Sequence, residues 1–336
     1  MSTTFPSVYA AAADRYNCGM KYRRCGQSGI LLPELSLGLW HNFGSVDPFQ
    51  KSLETVHYAF DHGICHFDLA NNYGPVYGSA EQTFGMIMRR SLAPYRNELF
   101  ISTKAGHDMW PGPYGEWGSR KYLFNSLEDS LRRMNLDYVD VFYSHRYDPV
   151  TPLEETMQAL VDIVRQGKAL YVGISKYPAE KAQEAYNYLK ERDVKCLVYQ
   201  GRYNMFDRDV EGAVLPQARE AGVGFTAFSP LAQGLLSDRY LNSIPSDSRI
   251  GRGGYLKKAD LTPEVLQKIT ALNEVARKRG QSLAQMAVAW LLRDEAVTSV
   301  IVGVSSQAQL ASNIEALRHT DFSPEELAEI DRILSN

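Results

Sequence analysis

The chain has 336 residues, 44% of them hydrophobic and 22% charged, which suits one large domain or two ordinary ones. Its net charge of −3, from mixed signs, gives no general attraction to nucleic acid, and no apolar run reaches the length of a membrane span. Cys18, Cys25, Cys65 and Cys196 show no CxxC spacing, so a reduced, cytosolic protein is favoured and no metal is expected.

Residues 1–20 lack a basic start and a continuous apolar core; they read as a mobile leader, not a secretory signal. Residues 21–34 read as a β-hairpin around the Ser28-Gly29 turn. From there an apolar strand and a helix alternate. Strands are expected at 35–38, 64–68, 99–104, 139–145, 169–175, 196–200, 223–229 and 299–303. Helices are expected near 51–62, 79–90, 126–136, 152–168, 178–192, 209–221, 262–279 and 308–317, with an extra one at 324–334. Strands buried on both faces and alternating with helices imply a parallel sheet, and eight units suggest closure into a (β/α)8 TIM barrel. The rival, a doubly wound open sheet, usually carries a GxGxxG turn after its first strand, and none is present. No linker divides the chain, so 1–336 reads as one barrel domain. The polar, glycine-rich stretches 106–120 and 236–259 read as insertions after strands three and seven.

A barrel of this kind places its chemistry at the C-terminal ends of its strands. In chain order those ends deliver Trp40 and His41, then Asp68 with Tyr73 just beyond, Lys104, His145, Ser175, Gln200, Phe228 and Ser229, and finally Gly303 and Ser305. In CHFDLANNYG the apolar alternation is carried by His66, Phe67 and Leu69, with Asp68 set among them. An Asp, a Lys, a Tyr and a His on one rim form an acid–base apparatus. A phenol is a weak acid near neutral pH, and a nearby ammonium is expected to lower its pKa. Lys104 can supply that charge, Asp68 can orient Lys104, and His145 can bond a substrate oxygen. The set suits protonation of a carbonyl oxygen while its carbon receives a hydride. A Schiff-base lyase with Lys104 as nucleophile is the alternative chemistry.

FDLANNYG, ISTKAG, YSHR, VGIS, FSPLAQG and GVSSQAQLASN occur in the order and spacing of the aldo-keto reductases, and the chain resembles that family from Tyr22 to about Leu334. LWHNFG and the 102–123 stretch are similar to the bacterial branch of L-glyceraldehyde 3-phosphate and methylglyoxal reductases, related to the β-subunits of voltage-gated potassium channels. The resemblance implies a catalytic tetrad of Asp68, Tyr73, Lys104 and His145, with Tyr73 as general acid. It implies NADPH as cofactor, with Trp40 and Gly303 beside it. Ser175 and Gln200 would hold the carboxamide, and Phe228 would stack on the nicotinamide. Ser229, Leu231, Gln233 and Gly234 would cradle the pyrophosphate. Arg249, Ser305 and Gln309 would receive the 2′-phosphate near a helix N-terminus, and Asn313 the adenine. Lys176 stands where many members carry Asn, Ser306 where near relatives carry Arg, and Ser312 where an acid is common. Trp40, His41, Tyr73, Trp110 and His145 would line the pocket for a small carbonyl substrate, with Arg120 and Arg146 available to attract an anionic one. Two readings of the resemblance stand: a reductase of small aldehydes or ketoaldehydes, and an NADPH-binding regulatory protein with slow turnover. A homo-oligomer is compatible with both.

Overall fold

The computed structural model describes residues 9–241, 244–245, 250–251 and 256–335. It begins with a hairpin of β1 (Tyr22–Arg24) and β2 (Leu31–Pro33), paired antiparallel with Arg23 opposite Leu32. The barrel strands follow as β3 (Leu35–Gly38), β4 (His66–Asp68), β5 (Phe100–Ala105), β6 (Val139–Ser144), β7 (Ala169–Ser175), β8 (Cys196–Arg202), β9 (Gly224–Phe228) and β10 (Val297–Val302). All are parallel, each pairs with the next, and β10 closes on both β9 and β3. The connecting helices are α1 (Phe49–Asp61), α2 (Ser79–Ile87), α3 (Arg120–Met134), α4 (Leu153–Arg165), α5 (Ala179–Lys190) and α6 (Val214–Glu220). Then come α7 (Pro263–Lys278), α8 (Leu283–Leu292), α9 (Gln307–Glu315) and α10 (Pro324–Ser335). The structure is the expected (β/α)8 barrel with an N-terminal hairpin and a C-terminal extra helix.

The hairpin closes the N-terminal end of the barrel. Cys25 and Leu32 pack with Phe100, Val141, Tyr143, Leu197 and Val198. Gly26 permits this approach: its φ is +54°, and a Cβ there would meet the Gly222 carbonyl oxygen at 2.2 Å. The opposite end is thereby left open for loops.

Three expectations change. A helix not expected from the sequence, α8, occupies 283–292, with Ser282 as a side-chain N-cap and eight of its ten residues buried. It is apolar on all sides, so it carries no 3.6-residue stripe to read. α8 packs on β10, whereas α7 lies against α8 and α10, where Lys268 Nζ donates to the Leu334 carbonyl at 3.0 Å. The helix expected at 209–221 is a single 3₁₀ turn (Asp209–Glu211) followed by the short α6. Finally, the described part of the leader is docked. The Tyr9 hydroxyl and the Ala12 N–H both donate to Asp61 at 2.8 Å, the Tyr9 ring stacks on His57 at 3.6 Å, and Arg15 pairs with Glu98 at 2.5 Å. These are polar contacts to groups remote in sequence, invisible to a reading of local hydrophobicity.

Candidate active site

Alternation along the strands decides which side chains enter the barrel. Phe67 packs outward on Phe84 of α2 at 5.4 Å, and Thr103 Oγ1 donates outward to Glu81 of α2 at 2.5 Å. His66, Asp68, Ser102 and Lys104 therefore point inward. His66, expected among the apolar positions with Phe67 and Leu69, faces the interior with Asp68.

At the C-terminal mouth Lys104, fully buried, donates to Asp68 Oδ2 and to the Leu69 carbonyl, each at 2.6 Å, and to the Tyr73 hydroxyl at 3.5 Å. Asp68 Oδ1 accepts from Ser102 Oγ at 2.8 Å and from Gln200 Nε2 at 3.0 Å. Tyr73 is pinned by its own backbone: its N–H donates to the Ala70 carbonyl at 3.0 Å, and its carbonyl accepts from Ala80 at the start of α2 at 3.2 Å. Gly74 makes this turn possible, with φ +99° and the Ser79 hydroxyl 2.2 Å from where a Cβ would lie. His145 follows β6, its N–H held by the Ala105 carbonyl at 2.9 Å, and its ring meets Tyr73 edge-on at 5.9 Å. The four tetrad candidates thus converge.

Their electrostatics differ in one respect from expectation. Burial, and then the Asp68 charge, hold the Tyr73 phenol well above its ordinary pKa. The Lys104 ammonium, 3.5 Å from the hydroxyl, favours the phenolate, but burial and the Asp68 carboxylate outweigh it. Lys104 itself is lowered by burial, opposed by Asp68. Burial and the charges of Lys176 and Lys104 hold His145 well below the usual histidine range, so its ring is neutral at pH 7. A protonated phenol beside a paired ammonium, facing a neutral imidazole, can donate one proton and one further hydrogen bond.

The Trp40 ring lies 3.9 Å from that of His41 in a tilted contact and 6.0 Å from Tyr73, extending the aromatic wall. Trp110 packs instead on Tyr122 of α3 at 5.3 Å. His107, which the sequence reading missed, meets His145 edge-on at 4.6 Å; its only sequence signal is its position three residues after Lys104. Lys176 Nζ reaches His107 Nε2 at 3.4 Å and lies 5.6 Å from the Phe228 ring. Arg146 braces the 106–120 loop, donating to the Gly106 carbonyl and to Glu116 at 2.7 Å each. Arg120 pairs with Asp162 of α4 and lies over Phe124 of its own helix.

The cofactor candidates are distributed around the same mouth. Ser175 Oγ is buried without a hydrogen-bond partner. Ser229, Ala232 and Gln233 all have left-handed φ angles of 46–63° in one loop after β9, joined by Gly234 at +99°. Three strained non-glycine residues in one loop mark a backbone shaped for a task beyond connection. Leu231 lies within this loop, and Gly303 is exposed after β10. Ser305 donates through its N–H and Oγ to Gln309 Oε1, at 2.8 and 3.0 Å. Ser306 is the N-cap of α9, Asn313 is buried on that helix, and Ser312 accepts from Gln285 of α8 at 3.4 Å. Arg249 lies outside the described residues.

Residues 34–335 match the model of the aldo/keto reductase family. The chain belongs to that family. It is 54% identical over 335 residues to an L-glyceraldehyde 3-phosphate reductase of Escherichia coli O157:H7, covering 98% of this chain and 96% of that protein. It is 37% identical over 305 residues to a probable voltage-gated potassium channel subunit beta of Arabidopsis thaliana, covering 89% and 91%. This aldo-keto reductase is an oxidoreductase of small carbonyl compounds, and among its described residues no helix is long and apolar enough to cross a membrane.

Proposed function

We propose that this reductase converts small aldehydes to alcohols with NADPH, with phosphorylated three-carbon aldehydes such as L-glyceraldehyde 3-phosphate as its main substrates and methylglyoxal as a lesser one. The observation that carries the reading is the buried Lys104, linking Asp68 at 2.6 Å to the Tyr73 hydroxyl at 3.5 Å opposite His145. NADPH supplies the hydride when bound. Tyr73 gives its proton to the carbonyl oxygen, and the phenolate that develops lies beside the Lys104 ammonium, which stabilises it. His145, neutral, donates one N–H to the same oxygen and orients the carbonyl.

The residues present suit the cofactor. Ser175 Oγ lacks a partner, as a carboxamide-binding hydroxyl should, while Gln200 already gives its amide hydrogen to Asp68 and supports the tetrad as well. Phe228 offers a face to the nicotinamide, and Ser229, Leu231, Gln233 and Gly234 form the strained loop suited to a pyrophosphate. Ser305 and Gln309 at the N-terminus of α9, with Arg249, would take the 2′-phosphate. Lys176, beside His107 and without an ion pair among the described residues, leaves positive charge at the mouth for an anionic substrate. The four unpaired cysteines, three of them buried, support a reducing, cytoplasmic setting.

Fluorescence titration tests the cofactor. A charge-assisted contact to phosphate contributes roughly 1.5–3 kcal/mol, so NADPH is expected to bind about tenfold or more tightly than NADH. Equal affinities would remove the assignment of the 2′-phosphate site.

A further inference from the structure

Below the mouth, the barrel interior carries polar side chains in a layer that branched aliphatic residues usually fill. Ser299 of β10, Ser36 of β3, His66 of β4 and Ser102 of β5 are all fully buried, on four adjacent strands. Their contacts are continuous. Ser299 Oγ lies 2.6 Å from Ser36 Oγ, Ser36 Oγ 2.7 Å from His66 Nδ1, and His66 Nε2 3.0 Å from Ser102 Oγ. Ser102 Oγ then reaches Asp68 Oδ1 at 2.8 Å.

Counting protons gives this string a direction. A carboxylate paired with an ammonium only accepts hydrogen bonds. Ser102 therefore directs its single hydroxyl proton to Asp68, in preference to the Phe67 carbonyl at 3.5 Å. With that proton committed, Ser102 accepts from His66, which must carry its hydrogen on Nε2. Burial lowers His66 to a pKa of about 4, so the ring is neutral at pH 7 and Nδ1 is bare. Nδ1 accepts from Ser36, and Ser36 in turn accepts from Ser299. All four donors point toward Asp68. Aliphatic side chains would fill the layer with less desolvation, and a hydroxyl string without a charge at its end would have no fixed direction.

We propose that His66 is a positioning residue for carbonyl reduction: its Nε2–H locks the Ser102 hydroxyl onto Asp68 and so holds Lys104 aligned on Tyr73. Gln200 fixes the same oxygen from β8, leaving Oδ2 to Lys104. This role rests on the reductase reading above.

Two measurements test it. The first, ¹⁵N NMR of the histidine side chains in the unaltered protein, needs no activity and no variant. Hydrogen on Nε2 of His66 and a bare Nδ1 are expected at pH 7; hydrogen on Nδ1 would overturn the proposal. The second compares Ser102→Ala, His66→Leu and His66→Gln. Small misplacements at a reacting centre are costly, so Ser102→Ala and His66→Leu are expected to lower kcat about tenfold while NADPH affinity stays the same. Gln can both donate to Ser102 and accept from Ser36, so His66→Gln is expected to restore most of the loss. Normal kcat in Ser102→Ala, or a Gln variant as slow as the Leu variant, would refute the positioning role. Failure of the unaltered chain to oxidise NADPH with any carbonyl would count against the reductase reading, and the NMR result would still decide the direction of the string.

Discussion

Lys176 reaches the mouth with its charge opposed by three neighbouring cations. Burial, then Lys104, Arg146 and Arg202, lower its pKa to about 8, so it still carries its proton at pH 7. A phosphate there would relieve the repulsion. Lys176→Met is expected to raise KM for glyceraldehyde 3-phosphate about tenfold or more, the size of a lost charge-assisted contact, and to leave KM for methylglyoxal nearly unchanged. Steady-state kinetics with both substrates checks this; a parallel rise for both would move Lys176 from the substrate to the cofactor. At this scale the convergence of the four tetrad candidates was legible, because Asp68, Lys104 and His145 lie at strand ends that the barrel gathers at one mouth. His107, Ser102 and the orientation of His66 were not, because their roles depend on neighbours across adjacent strands. The net upward shift of the Tyr73 pKa was hidden for a similar reason: sequence places a cation near the phenol but does not show the burial and the Asp68 carboxylate that outweigh it.

Among the elements, strands were easier to read than helices. The eight barrel strands lie in largely buried stretches, and their positions held to within about two residues at most ends. α8 escaped because helical periodicity needs a polar face, and α8 has none. The docked leader escaped because Asp61, Tyr95 and Glu98, which hold it, lie far along the chain. One inter-element contact bears directly on the site. Glu81 of α2, fully buried, accepts from Thr103 on the outer face of β5 and from Arg133 Nε of α3 at 2.7 Å. It clamps both helices behind the strand that carries Lys104. Arg133→Ala would leave a buried carboxylate without its cation and is expected to cost about 3–5 kcal/mol. Urea unfolding measures it; a loss below about 1 kcal/mol would show that Thr103 alone satisfies Glu81.

For the whole molecule, a closed barrel sealed below by the hairpin explains why chemistry gathers at one end, and it links stability to pH through the buried polar layer. His66 has a folded pKa of about 4, below the unfolded value of about 6.5. Above pH ~6.5 the ring is neutral in both states and contributes nothing to pH dependence. As pH falls toward ~4 the unfolded chain takes up a proton that the native state refuses, so stability drops, by up to about 3 kcal/mol from this group. Urea midpoints between about pH 7 and 4.5 are expected to fall less steeply in His66→Gln than in the unaltered chain. Identical slopes would mean that His66 is not held neutral.

Single-turnover stopped-flow kinetics decides whether Tyr73 delivers the proton as NADPH reduces an aldehyde. The unaltered protein loaded with NADPH is mixed with excess glyceraldehyde 3-phosphate, alongside Tyr73→Phe, which keeps the ring and removes one oxygen. The unaltered protein is expected to oxidise its NADPH in one turnover, and Tyr73→Phe to do so about 10²–10⁴-fold more slowly with unchanged NADPH affinity. Near-normal hydride transfer by the variant would take the proton-donor role from Tyr73, and none by the unaltered chain would rule out the reductase reaction.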